Sequence, residues 1–117
     1  MAQIDGEEVV FSCKVEKLNR FGFNQTRIIL VTNNSVCNVK DNDIQRKINV
    51  NAIHGVTKST KPGNFEFVIH VRSEYDYVFS SEMRSEIIDS LKFVFWQKTK
   101  TNLPIYGVCE KDLEDFS

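Results

Sequence analysis

Lys14–Thr32, KVEKLNRFGFNQTRIILVT, is the stretch from which the rest of the chain can be read. Val9, Phe11, Cys13 and Val15 alternate with Ser12 and Lys14 on the way in, the period-2 pattern of a strand with one apolar face. Arg27–Thr32 leads out, and its unbroken apolar run Ile28–Val31 predicts burial on both sides. Asn19–Asn24 is a polar loop between them, centred on Gly22. Lys17, Arg20 and Arg27 give this region its positive charge, and Phe21 and Phe23 stand at the tip.

Short strands continue downstream. Asn33-Asn34 reads as a tight turn, since asparagine tolerates left-handed backbone, and Ser35–Val39 returns as a third strand. Lys40–Gln45 is a charged turn, Ile48 and Val50 mark a fourth strand, and Ile53–Lys58 a fifth. Lys61-Pro62-Gly63-Asn64 is a turn in which proline presets one dihedral and glycine supplies a positive φ. Phe65, Phe67, Ile69 and Val71 then alternate with Glu66, Val68, His70 and Arg72, and Tyr75, Tyr77 and Phe79 with Asp76 and Val78. Seven such strands with short turns predict an antiparallel sheet curled into a sandwich or barrel.

The period changes after Phe79. Ser80 or Ser81 can cap a helix, and Met83, Ile87, Leu91, Val94 and Phe95 recur at helical spacing up to about Lys98. Phe93 and Trp96 fall on the other side of the wheel. The apolar segment Leu103–Val108 is the expected cover for them. The predicted organisation is therefore a frayed N-terminus (1–8), a domain (9–98) and a C-terminal extension (99–117) that packs back on the helix.

At 117 residues the chain has room for one core. A formal net charge of −1 argues against nucleic acid as a partner. The charge is unevenly spread: between Lys14 and Arg72 there are 10 bases and 4 acids, so one basic end is compatible with near neutrality. Cys13, Cys37 and Cys109, odd in number and without a CxxC, fit reduced thiols in a cytoplasmic protein rather than a disulfide frame or a metal site. No run is long enough to span a bilayer or resembles a signal peptide, so membrane contact is expected to be peripheral.

The fold these elements predict is mainly β with one C-terminal helix: a pleckstrin-homology-like, seven-stranded bent barrel capped by the helix. Several blocks sharpen this. KLNRFGFNQTRIILVT, SVCNVKD, KINVNAIHGVTKST, FVIHV and YDYVFSSEMRSEIIDSL, in that order, resemble the first tail-homology domain of class I myosins over roughly residues 9 to 98. Similar modules stand beside kinase domains in some protists. The resemblance implies a module of a larger protein, at a membrane or the cell cortex, that binds anionic phospholipid headgroups without a cofactor.

In that family the lysine before the loop and the arginine opening the second strand contact lipid phosphates. Carried over, these are Lys17 and Arg27, with Arg20 as a third contact and Lys14 joining them if it points outward. Phe21 and Phe23 become candidates for insertion at the headgroup boundary, or for folding back on the barrel. Gln25 stands where tight phosphoinositide binders carry a second base, which predicts modest, charge-driven affinity. His54 and His70 read as isolated, and no GxSxG, HExxH or phosphate-cradling glycine loop is present, so the chain is not expected to be an enzyme. A second reading stays open, in which the helix and tail dock on a protein partner or a neighbouring domain.

Overall fold

Lys14–Thr32 forms the middle of a long hairpin. The computed structural model describes residues 3–4, 6–18, 24–72 and 74–108, with the backbone alone for 3–4. In chain order the elements are β1 (Gln3–Ile4), β2 (Glu7–Leu18), β3 (Asn24–Thr32), β4 (Ser35–Lys40), β5 (Asp43–Asn49), a 3-10 turn (Val50–Ala52), β6 (Ile53–Ser59), β7 (Glu66–Val71), β8 (Tyr77–Ser80), α1 (Arg84–Thr99) and β9 (Ile105–Val108). β2 to β8 stand where the seven strands were expected, but pairing with β4 draws Asp43–Gln45, expected in a charged turn, into β5, and Val50 falls in the 3-10 turn instead of the strand. One further short strand lies at each end of the described chain.

All strands join one sheet in the order β5-β4-β3-β2-β8-β7-β6-β9, with β1 added to β2. Every pairing is antiparallel except β6 with β9. The sheet is strongly bent but not closed, and α1 packs against the 3-10 turn, β2 and β3. Its inward side holds Val15, Ile29, Val31, Val36, Ile48, Phe67, Ile69 and Phe79, which meet Ile87, Ile88, Leu91 and Val94 of α1 in one core.

Several expectations change in detail. The Ile28–Val31 run is not buried on both sides: Ile29 and Val31 face the core, whereas Ile28 is exposed and Leu30 half-buried. Among the described residues no second layer covers that outer face, so this apolar run keeps the one-sided burial of an antiparallel strand. The left-handed turn is Asp41-Asn42, at φ 51° and 69°, and not Asn33-Asn34. The latter is instead held by the Thr32 hydroxyl, which accepts from the Asn34 and Ser35 N–H groups at 3.1 and 2.8 Å. Gly63 does take the positive φ its turn needs, 80°, and Asn64 N–H closes the turn on the Lys61 carbonyl.

The helix begins one turn later than its apolar spacing implied. Met83 is the N-cap residue and is exposed, while Ser81 Oγ accepts from its N–H at 3.0 Å. Arg84 ties this end of the helix to the β6–β7 connection, donating from Nη1 to the carbonyls of Ser59, Asn64 and Glu66, each at 3.1 Å. Lys100 ends α1 in the left-handed conformation.

The tail does not cover Phe93 and Trp96, which remain 55% and 48% exposed. Leu103 enters the core and β9 runs parallel to β6 from Val56↔Ile105 to Ser59↔Val108. Unpaired N–H and C=O groups along the β6 edge are a stronger sink for this segment than one exposed helix face. Glycine at 107 permits the approach, because a Cβ there would sit 2.8 Å from the Thr60 methyl carbon.

β2 starts earlier than its alternation suggested, and Glu7 fastens it to the far end of the sheet. The Glu7 carboxylate accepts from Thr32 Oγ1 (2.7 Å), Asn34 Nδ2 (2.9 Å) and Ser35 Oγ (3.3 Å), and pairs with Lys47 Nζ at 3.3 Å. Burial alone would push its pKa up. The bonds from Asn34, Thr32, Ser35 and Lys47 outweigh that and lower it from 4.5 to about 2. The carboxylate therefore contributes stability that is complete above pH 4.5 and is lost as pH falls through about 2. Chemical denaturation across this window should show a loss of roughly 2–3 kcal/mol in the native chain and a flatter profile in Glu7→Gln. Identical profiles would mean that ionisation of Glu7 is not linked to folding.

Candidate anion-binding site

Antiparallel pairing brings three turns to one end of the sheet. The ends of β2 and β3 that flank residues 19–23, the Asp41-Asn42 turn, and the β7–β8 turn all lie there, the last because Lys17 is paired with Phe79. Strand alternation then decides which side chains line the interior at this mouth. Val15 is a core residue, so Lys17, two residues on, points to the same side. Arg27 lies opposite Val15 and Gln25 opposite Lys17. Two strands further along, Arg46 lies opposite Asn38 and two residues before the buried Ile48.

Arg27 is only 8% exposed. Its Nη1 donates to the Thr26 carbonyl at 3.0 Å and its Nη2 to Gln25 Oε1 at 2.7 Å. Gln25, at the position where tight phosphoinositide binders carry a second base, thus orients the arginine. Arg46 lies over two rings, 4.2 Å from the Tyr75 centroid and 4.3 Å from that of Tyr77. Its Nη2 donates to the Tyr75 carbonyl at 2.5 Å and stands 3.6 Å from Glu74 Oε1.

Among the described residues, Arg27 Nε, Arg46 Nε and Nη1, Asn38 Oδ1 and Tyr77 Oη are buried without a hydrogen-bond partner. Each such group costs on the order of 1–3 kcal/mol when left unmatched. They lie together on the inward side of β3, β4, β5 and β8 at this end of the sheet. Burial lowers the Lys17 pKa, and the like charges of Arg27 and Arg46 lower it further. Lys17, Arg27 and Arg46 thus lie close enough at this mouth to feel one another's charge. Burial also drives the Tyr77 phenol well above its usual range, with Arg46 pulling the other way. Tyr77 therefore stays a neutral O–H donor.

Lys14 is exposed on the opposite side of β2 from Lys17, paired with the exposed Ile28. It flanks the hairpin from outside and does not belong to the inward group. Arg20, Phe21 and Phe23 lie outside the described residues. Arg46, Tyr77 and Asn38 were missed from sequence, although the alternation Ile44, Arg46, Ile48 carried the signal.

The histidines are not isolated. The His54 and His70 rings stack at 5.7 Å. His70 Nδ1 lies 2.8 Å from Asp76 Oδ2 and its Nε2 2.6 Å from Thr57 Oγ1. Asp76 Oδ1 accepts from the Val71 N–H at 2.9 Å. This chain pins the β7–β8 turn that presents Glu74, Tyr75 and Tyr77 to the mouth.

The bent sheet with its crossing helix is the fold of pleckstrin-homology domains. The N-terminal pleckstrin-homology domain of human ARAP2 superposes with a TM-score of 0.64 at 19% identity, over 87% of this chain and 91% of that one. The Slm1 pleckstrin-homology domain, solved with inositol 4-phosphate, gives 0.61 at 19% identity over 74% and 95%. The hSac2 domain of the human phosphoinositide phosphatase Sac2 gives 0.68 at 13% identity over 91% and 80%. No curated protein sequence matches the chain at a significant level. The family of the unconventional myosin tail, described as actin- and lipid-binding, matches residues 1–107, and the chain belongs to that family.

Asp76→Ala leaves His70 Nδ1 and the Val71 N–H without their acceptor. It should lower stability by about 1–3 kcal/mol in denaturant titrations. An unchanged midpoint would show that the turn is held by other contacts.

Proposed function

We propose that this domain binds the phosphates of anionic phospholipids through the β2–β3 end of its sheet, as a non-catalytic, peripheral membrane-targeting module. Lys17 and Arg27 are the primary phosphate contacts, Arg20 is a further contact from the loop, and Lys14 adds charge from the outer face. Phe21 and Phe23 enter the headgroup boundary when the loop meets a membrane. The observation that carries this reading is the convergence of Lys17 and Arg27 on one inward-facing mouth, where Arg27 Nε is buried and unpartnered. A guanidinium forks onto phosphate oxygens and an ammonium adds point charge, each worth about 1 kcal/mol near an anionic leaflet. Membership of a family described as lipid-binding, and the inositol 4-phosphate bound to the similarly folded Slm1 domain, support the same chemistry.

Vesicle sedimentation tests it. Binding to phosphatidylserine or phosphoinositide vesicles should fall steeply with salt. It should weaken at least tenfold in Lys17→Ala/Arg27→Ala while thermal unfolding stays cooperative. Indifference of the native chain to every anionic vesicle would sink the proposal.

A second reading, a protein-docking or autoinhibitory role through the helix, is favoured by one observation. Phe93 and Trp96 lie exposed on α1, toward the end that reaches the β3–β4 turn, where Lys98 Nζ bonds Asn34 Oδ1. That end is opposite the cationic mouth, so membrane contact at the mouth leaves it open. Trp96→Ser should leave vesicle binding unchanged and abolish any association with the neighbouring domain of the parent protein in pull-down. Retained association in the variant would remove this reading.

A further inference from the structure

We infer that the outer face of α1 is self-complementary and docks a second copy of this chain, laid antiparallel across a two-fold axis between Phe93 and Trp96. This rests on the protein-docking reading of the helix and commits it to one partner.

At about 3.6 residues per turn, Glu86, Asp89, Phe93, Trp96 and the C-cap residue Lys100 fall on one stripe, within roughly a quarter of the helix circumference. All five are exposed, and the stripe lies opposite Leu91, with Ile87, Ile88 and Val94 on the core side. The order along the axis is two acids, two aromatics and one base. Lys100 Nζ lies 4.8 Å from the centroid of the Trp96 ring, which holds the ammonium at the border of the apolar patch. Lys98 is drawn off the stripe by its bond to Asn34 Oδ1, and Lys92 stands at the margin.

That order is matched by its own reversal. A two-fold axis midway between Phe93 and Trp96 sets Phe93 against the partner's Trp96, and Trp96 against the partner's Phe93. At about 1.5 Å per residue, Asp89 and Lys100 each lie about 8 Å along the helix from that axis, so Asp89 meets the partner's Lys100. The same operation makes a second, identical pair at the other end. Aromatic contacts at the centre and opposite charges at the rim are the usual anatomy of a protein interface. Among the described residues Asp89 has no ion-pair partner within its own chain. An anionic leaflet fits this face poorly, because Glu86 and Asp89 would repel it.

A groove between α1 and β2, lined by Val10, Phe93, Val94 and Gln97 among others, widens the apolar surface on one side of the stripe. The face itself is one 16-residue helix, about 24 Å long and 10 Å wide. That is small beside the roughly 800 Å² per partner of a standard complex, so the dimer is a reversible one. It leaves the cationic mouth, at the other end of the sheet, free in both copies.

Sedimentation velocity of the full chain from micromolar to millimolar concentration should show a monomer–dimer equilibrium. Asp89→Lys and Lys100→Asp should each weaken the dimer about tenfold, since both symmetric pairs become repulsive. An equimolar mixture of the two variants should restore it, because each reversed charge then meets its opposite on the other chain. Trp96→Ser should also weaken it at least tenfold. Trp96 is the chain's single tryptophan, so in the native protein its emission should shift to longer wavelength on dilution through the same range. That native measurement decides alone if a variant fails to fold. A native chain that stays monomeric, emission that does not change as the dimer dissociates, or a mixture that does not recover overturns the assignment. If a monomeric native chain is still pulled down by its neighbouring domain in a Trp96-dependent way, the docking reading stands and only the second copy falls. Loss of both removes both.

Discussion

Strand alternation is the constraint on which both core and site depend. Each strand must send every second side chain to the inner side of the bent sheet, and along most of its length these are valine, isoleucine and phenylalanine. At one end the same rows continue with polar residues. Val15 is followed by Lys17, Arg27 precedes Ile29, Arg46 precedes Ile48, and Tyr77 precedes Phe79. The period that builds a dry core thus also places cations and a phenol inside the mouth. Groups that would be freely solvated on the outer face are here desolvated and crowded, which is why burial and neighbouring positive charge lower the Lys17 pKa. Lys14, one residue out of phase with Val15, lies on the other side of the strand and escapes that crowding.

Holding like charges together requires a rigid surround. The β7–β8 turn supplies part of it: Asp76 is fixed through His70 and the Val71 N–H, and Tyr75 and Tyr77 on either side present ring faces and a carbonyl to Arg46. Gln25 performs a similar service for Arg27. The opposite end of the sheet works differently. There the single carboxylate of Glu7 gathers four partners and gives favourable charge-assisted bonds. One end is therefore satisfied and stabilising, and the other keeps buried polar groups without partners.

The tail shows how backbone demands outrank side-chain apolarity. Leu103–Val108 had two apolar destinations, the outer face of α1 and the region beside β6. Pairing with β6 satisfies main-chain groups as well as burying Leu103, so it prevails over covering Phe93 and Trp96. Two aromatic side chains are left on the surface as a consequence.

Periodicity in the sequence determined the seven central strands, the helix, and the membership of Lys17 and Arg27 in one hairpin, because a period of 2 or 3.6 is written directly in residue order. The myosin-tail resemblance was likewise legible from the ordered blocks between Lys17 and Leu91. Tertiary structure alone decided which strands became neighbours, and therefore that Arg46, 19 residues beyond Arg27, shares its mouth. It also decided that Gln25 orients an arginine, that His54 meets His70, and that the tail extends the sheet. Each of these depends on strand order and register between distant segments, and local pattern carries no information about either.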